Sequence, residues 1–469
     1  MENIIMDEKL IESIVREVAK NINILESNNN NTNTLGIFDT MKEAIEYASI
    51  AQKKFLCSTL SERKKITDSI RNKLRPLIKE MSVMAVEESK MGRVEDKINK
   101  NTLAIERCTG VEDLHTGALT GDDGLSLLEF SPFGVIGAIT PVTNPTETII
   151  CNSINMLAAG NSVVFSPHPS AVKVSNWLVG KINEAIIEAG GERNLVVAIS
   201  KASVEEVDYM MEHPKINALC ITGGMPIVIK GLKSGKKTIG AGAGNPPVIV
   251  DETADIEQAA ADIVAGASLD NNMPCIAEKE VLAVDSIFDY LMFNMEKNNA
   301  FKISKKEDMM KLEKALINPD GTVNKKFVGK DAKYILDTLG IECSYDPRLI
   351  IMETHKEHPF AVEELMMPVL PLIRCKDFDE ALELAVKLEN GCRHTAAMHS
   401  KHIDRLTIAP RRLQTTIFVK NAPSYAGIGL GGEGYTSFTL ASSTGDGITS
   451  TITFTRKRRC VLKNGLFVR

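Results

Sequence analysis

Gly134-Val135-Ile136-Gly137-Ala138-Ile139-Thr140 is a short apolar run, and the turn Pro141-Val142-Thr143-Asn144-Pro145 breaks it. Residues 146–159 then take up helical spacing and are closed by Gly160. The alternation continues: 162–165 reads as a strand, 171–189 as a helix, 194–199 as a strand, 204–212 as a helix and 218–221 as a strand. Short apolar strands alternating with helices predict an α/β protein with a parallel, doubly wound sheet. Such sheets bind ligands at the carboxyl ends of their strands.

Outward from this block, residues 37–108 look mainly helical, with little Gly or Pro. A second α/β stretch runs from about 246 to 419, with strands near 248–250, 281–284 and 416–419. No internal repeat is visible. The tail from 445 alternates apolar and polar residues through Ile448-Thr449-Ser450-Thr451-Ile452-Thr453-Phe454, which predicts a strand that leaves the core. Physics alone makes it an ordinary edge strand.

The N-terminus is a separate unit. Leu10, Ile11, Ile14, Val15, Val18 and Ile22 form one apolar helical stripe within residues 1–26. Ser27-Asn28-Asn29-Asn30-Asn31-Thr32-Asn33-Thr34 follows as a polar linker. A short tethered helix cannot bury its stripe alone, so it docks on a partner groove, on its own body or on a sister subunit.

A chain of 469 residues is too long for one simple core and predicts two or three domains. Net charge is -6, which argues against a nucleic-acid partner. The one dense basic run, Arg456-Lys457-Arg458-Arg459, reads as a solvated strand face or a subunit contact. Nine dispersed cysteines, with no CxxC pair and no zinc spacing, predict reduced thiols, a cytosolic compartment and no metal site. No apolar run is long enough to span a bilayer, and Glu2, Asp7 and Glu8 stand where a signal peptide would be apolar.

Cys275 stands out among the cysteines. It lies in Asp270-Asn271-Asn272-Met273-Pro274-Cys275-Ile276-Ala277-Glu278-Lys279-Glu280, between a predicted helix (255–269) and a predicted strand (280–284). A lone Cys is most often a buried structural residue. Two Asn and a Pro suit a shaped polar turn better than a core segment. A thiol on such a turn can serve as a nucleophile, with its own backbone N–H as an oxyanion donor. Other segments carry weaker signals. Asn144-Pro145 reads as a turn with a helix cap at Thr146. Ile221-Thr222-Gly223-Gly224 joins a strand to a helix at 226–232, and its glycines would let a pyrophosphate approach backbone. Gly427-Ile428-Gly429-Leu430-Gly431-Gly432 spells GxGxxG, but no helix follows and too little chain remains for a βαβ unit. Further segments are Ser166-Pro167-His168-Pro169, Ala241-Gly242-Ala243-Gly244-Asn245-Pro246-Pro247, Glu363-Glu364-Leu365-Met366-Met367-Pro368-Val369 and Cys392-Arg393-His394-Thr395-Ala396.

Taken in order, these segments resemble the aldehyde dehydrogenase superfamily from about Leu35 to Arg469, and most closely its CoA-acylating branch. The resemblance implies a dinucleotide-binding domain (35–111 and 134–244), a catalytic domain (245–430) and a β oligomerisation arm (112–133 and 440–469). It casts Cys275 as nucleophile and puts the second oxyanion donor at Thr143 or Asn144. Thr222, Gly223, Gly224 and Gly242 fall in the dinucleotide loops. Ser166, Pro167 and His168 replace the family's Lys-Pro ribose segment, and the smaller Ser leaves room for NAD and then coenzyme A. Glu364 falls on the nicotinamide ribose, where a carboxylate can accept from two hydroxyls. His394 resembles a histidine of the acylating branch and would assist proton transfer; a packed His is the equal alternative.

One departure is the most telling. Hydrolytic members carry a Glu that activates water against the thioester, and Ala241 stands in its column. Without that base, the thiol of coenzyme A is the fitting second nucleophile. The resemblance therefore implies NAD-dependent oxidation of a short aldehyde, propanal before acetaldehyde, to its acyl-CoA. It also implies a homodimer or homotetramer and a location inside a bacterial microcompartment, with residues 1–20 addressing shell proteins. The rivals are a hydrolytic enzyme giving the free acid and a non-catalytic lumen scaffold.

Overall fold

The computed structural model describes residues 35–468; the stripe and linker expected at 1–34 lie outside the described residues. The first strand–helix alternation becomes a six-stranded, wholly parallel sheet. Its order is Ile37–Phe38, Val196–Ile199, Ser162–Ser166, Val135–Ile139, Ala218–Thr222, Lys237–Ala241. Strand Val135–Ile139 has its successor Ser162–Ser166 on one side and Ala218–Thr222 on the other. The strand order therefore reverses there, and a crevice opens beyond the carboxyl ends of these strands. A second, seven-stranded parallel sheet runs in the order Ala300–Lys302, Leu349–Glu353, Val369–Cys375, Glu280–Val284, Pro247–Val250, Thr395–His399, Ile417–Lys420.

Both sheets are covered on their faces, so their strands are apolar throughout rather than alternating. All five residues of Ser162–Ser166 and all five of Glu280–Val284 are buried. Helix Pro145–Ala158 is buried on every side, which marks it as interior. Each aliphatic side chain so placed contributes roughly 1.5–3 kcal/mol.

Most boundaries fall within a residue or two of the sequence reading, and three departures from it have a clear local reason. Strand Val196–Ile199 begins later than 194 because Asn194 is left-handed (φ 65) and ties its N–H to Asn183. Helix Pro145–Ala158 is entered through Asn144 rather than capped at Thr146. Pro145 supplies the first turn, and the Asn144 side chain makes no capping bond. The alternation at 448–454 is not a continuous strand: only Ile448 is paired, at the end of Gly447–Ile448. Thr451–Phe454 is a 3-10 turn, boxed in by Ser450 and Thr453, because Thr109 accepts no strand partner there but binds the Thr451 N–H.

The tail strand is instead Thr455–Lys463, with every residue after Thr455 exposed. It pairs antiparallel with Gly124–Pro132, from Thr455 opposite Pro132 to Lys463 opposite Gly124. Gly117–Gly121 completes this third sheet. Arg456, Lys457, Arg458 and Arg459 thus lie on a solvated edge strand. The GxGxxG run sits on a 3-10 turn, Ser424–Ile428, followed by left-handed Gly429. A Cβ on Gly427 would meet Ile417 at 2.3 Å and one on Gly432 the Ala426 carbonyl at 2.4 Å, so these glycines serve close backbone packing.

Candidate active site

A cavity of about 790 Å³ lies between the two large sheets. From the first sheet it is lined by residues at or just past strand carboxyl ends: Ile139, Ser166, Thr222 and Ala241. From the second sheet it is lined by segments that precede strands: Ala243 before Pro247–Val250, Cys275 before Glu280–Val284, and Glu364 before Val369–Cys375. Of the sequence candidates, Thr143, Asn144, Ser166, Pro167 and His168 line this cavity together with Thr222, Gly223, Gly224, Gly242, Cys275 and Glu364. His394 does not.

On the first-sheet side, Thr222 closes its strand, its hydroxyl 2.9 Å from that of Thr439. The Gly223 N–H donates to the Ala241 carbonyl at 3.1 Å. Gly224 then starts helix Met225–Lys233, whose first turn faces the cavity through Gly224 and Ile227. Free N–H groups at a helix start favour a phosphate. A Cβ on Gly224 would meet nothing nearer than Pro226 at 3.7 Å, so it would take up room a ligand could use. Gly242 is constrained differently, since a Cβ there would press on Met225 at 2.5 Å and Ser443 at 2.7 Å. The His168 ring accepts from the Ser170 N–H at 3.1 Å, which shapes the turn after Ser166. Burial lowers its pKa, and Lys325, also on the cavity wall, adds to the effect.

The Cys275 side is built from ionisable groups. Asp270, Asn271 and Asn272 are consecutive left-handed residues, at φ 47, 57 and 63. Each costs roughly 1–2 kcal/mol, least for Asn and Asp. Side-chain bonds hold the turn against that cost. Asp270 accepts from the Arg93 N–H at 2.8 Å. Asn271 donates to the Gly329 carbonyl at 3.0 Å, and Asn272 to the carbonyls of Ala267 and Glu278 at 2.8 and 2.9 Å. The turn presents a half-buried Cys275. Burial pushes its thiol up to about 12, and Glu364 pushes the same way; Lys279 and Lys100 pull it back. Lys279 is itself buried and donates to the carbonyl and side chain of Asn272 at 2.9 and 2.6 Å. Glu364, whose pKa burial raises, takes a bond from the Gly244 backbone.

His394 sits one layer back. A Cβ on Gly244 would meet its ring at 2.7 Å. Its Nδ1 lies 2.9 Å from the Thr395 hydroxyl and its buried Nε2 has no bonded partner. Burial, helped by Lys279, lowers its pKa to about 4, so the ring is neutral. Among the described residues, no cluster of His, Cys, Asp and Glu could hold a metal ion, and no helix is long and apolar enough to cross a membrane.

Sequence reasoning missed Lys97, Lys100, Glu147, Lys279 and Lys325. A signal existed for the first two: they fall at i and i+3 on the buried face of helix Val94–Arg107, where an apolar pair belongs.

The chain matches the aldehyde dehydrogenase family over residues 37–450. It is 51% identical over 435 residues to a CoA-propanoylating propanal dehydrogenase of Salmonella typhimurium, covering 92% of this chain and 93% of that one. It is 43% identical over 462 residues to an acetylating acetaldehyde dehydrogenase of Escherichia coli, covering 97% and 98%. A Rhodopseudomonas palustris propionaldehyde dehydrogenase, solved with bound CoA and an acylated cysteine, superposes with TM-score 0.92 at 52% identity, covering 93% of this chain and all of that one (100%). A propionaldehyde dehydrogenase from the fucose-utilisation microcompartment of Clostridium phytofermentans gives TM-score 0.91 at 51% identity, covering 93% and 100%.

Proposed function

As the chain belongs to the aldehyde dehydrogenase family, we propose that it converts a short aldehyde, NAD⁺ and coenzyme A to acyl-CoA, NADH and a proton. The observation that carries the acylating outcome is Ala241. It lines the same cavity as Cys275, across from it, and offers only a methyl group in the column where hydrolytic members carry the water-activating Glu. The cavity-facing, half-buried thiol supports the first step, and its lysine neighbours oppose the upward push of burial and Glu364 on its pKa.

Cys275 Sγ attacks the aldehyde carbon and the carbonyl oxygen becomes an oxyanion. The Cys275 N–H and the Asn144 side chain, or the Thr143 hydroxyl, donate to it. The fields of Lys279 and Lys100 favour the thiolate that attack requires. The helix start at Gly223 and Gly224 suits a pyrophosphate, and Glu364 suits ribose hydroxyls, so these residues fit a nicotinamide dinucleotide. NAD, when bound, accepts the hydride. The acyl group is then held as a thioester on Cys275, and the thiol of coenzyme A attacks it. The C–S bond to the cofactor forms, the bond to Cys275 breaks, and the Cys275 thiolate is restored.

Propanal is the favoured aldehyde because the propanoylating relative is more similar than the acetylating one. We assign residues 112–133 and 440–469, which contain the antiparallel strands Gly117–Gly121, Gly124–Pro132 and Thr455–Lys463, to an arm that joins subunits. We assign residues 1–20 to docking on shell proteins, which accords with a similar enzyme from a microcompartment. The test is NADH formation from propanal and NAD with and without coenzyme A, with the product identified by mass spectrometry. A CoA-dependent rate giving propanoyl-CoA is expected. A CoA-independent rate giving propanoate would overturn the inference from Ala241.

A further inference from the structure

Lys97 and Lys100 are both fully buried (0% exposed). A buried ammonium is tolerated only where its protons meet acceptors and its charge is matched. Lys100 donates to Asp270 Oδ2 at 2.5 Å and Asn144 Oδ1 at 2.7 Å, and forms an ion pair with Glu147 Oε1 at 3.2 Å. Lys97 shares Asp270 Oδ2 at 3.0 Å and donates to the Thr143 carbonyl at 3.1 Å. Two lysines face two carboxylates, so their formal charges balance.

None of these four side chains lines the cavity, yet both segments they grip do. One is Thr143-Asn144. The other is the left-handed turn that ends in Cys275. The grip on Asn144 has a chemical consequence. An ammonium only donates, so it takes the amide oxygen and leaves the NH₂ as the group still to be used. That NH₂ has a single, long contact, 3.3 Å to the Thr143 hydroxyl. The Asn144 side chain is free for this duty because Pro145 starts the helix without it. A free, fixed donor is what a developing oxyanion requires.

We infer that Lys100 is the positioning residue of the oxyanion site: it locks the Asn144 amide with its N–H side free and, through Asp270, sets the turn that presents Cys275. The inference rests on the reading of Cys275 as nucleophile. It also settles the choice between Thr143 and Asn144 in favour of Asn144, with Thr143 as its neighbour.

A double-mutant cycle tests it in the full-length enzyme, with NADH formation from propanal, NAD and coenzyme A as the readout. Asn144→Ala is expected to lower kcat by about 10²–10³-fold. Lys100→Met is expected to lower kcat by a similar factor and to leave the KM for NAD within about twofold. The double variant should fall no more than about threefold below Asn144→Ala, because both changes remove one function. Losses that multiply to about 10⁴-fold or more, or an unchanged kcat in Lys100→Met, would overturn the inference. Should the uncompensated charge prevent folding, the same cycle is run on Lys100→Met/Glu147→Gln, which removes one charge of each sign and leaves Lys97 paired with Asp270. Each rate is normalised to the NAD-binding sites per subunit, counted by fluorescence titration, so a smaller folded fraction does not imitate a lower kcat. Cys275→Ala is the parallel control. Turnover in that variant would sink the nucleophile reading itself, whatever the cycle gives.

Discussion

The two walls of the cavity are made of different materials. The first-sheet wall is backbone, glycine, proline and short hydroxyl side chains, at Ser166, Pro167, Thr222, Gly223, Gly224 and Gly242. The second-sheet wall is a thiol on a strained turn, backed by buried charges at Lys97, Lys100, Asp270 and Lys279. A wall of backbone can accept more than one nucleotide, since it reads phosphate and shape. A wall of matched charges holds one geometry, since every member fixes another. The contrast suits a reaction in which nucleotides come and go while one sulfur stays.

The largest effect should come from the rigid wall. Cys275→Ala should drop acyl-CoA formation by about 10⁴-fold or more, while NAD binding, followed by quenching of protein fluorescence, stays within about twofold. Near-normal turnover would erase the distinction between the walls. Next comes the pH dependence of the thiol. With the folded pKa near 12, the thiolate fraction rises about tenfold per pH unit below it. Alkylation of Cys275 by iodoacetamide should therefore climb without a plateau from pH 7 to 10, about 10³-fold in all. A plateau near pH 8 would show that the lysines outweigh burial.

A third test concerns Glu278, which is buried and accepts from the Ser424 N–H and hydroxyl at 2.8 Å each. Burial raises it from 4.5 to about 7. A carboxyl raised on folding binds its proton more tightly in the folded state. Its contribution is full below pH 4.5 and is lost as pH climbs to about 7, by up to about 3 kcal/mol. The midpoint of thermal unfolding should fall across that window, and Glu278→Gln should flatten the fall. Identical profiles for the two proteins would show that Glu278 does not take up a proton on folding. The smallest effect belongs to the backbone wall. Gly224→Val should raise the KM for NAD about tenfold and leave kcat within about twofold. A collapse in kcat would mean that this wall also holds the reacting centre.

The same contrast explains what the sequence disclosed. The first wall is local chemistry: a strand, a turn and a helix start lie within a few residues, and glycines mark the place. The strand over 218–221 and the loop Thr222-Gly223-Gly224 were legible for that reason. Cys275 was legible because its own turn is polar. The charges behind it were not. Lys100 meets Asp270 across 170 positions and Asn144 across 44, and no periodicity encodes such a partner. The tail strand was misplaced because hydroxyl–backbone bonds, such as Thr109 to Thr451, imitate alternation without a ladder.

That long separation also bears on how the chain is made. Lys100 finds Glu147 within the nucleotide half, but Lys97 leaves the ribosome well before its ion-pair partner: at 5–20 residues per second, Asp270 follows on the order of ten seconds or more later. Until then helix Val94–Arg107 has the Lys97 ammonium unmatched on the face it must bury. That face stays in water, and the catalytic turn closes only when the second sheet arrives. Truncated or stalled chains ending before residue 270 should therefore fold their nucleotide half with this helix undocked, a stage at which chaperones have a surface to hold.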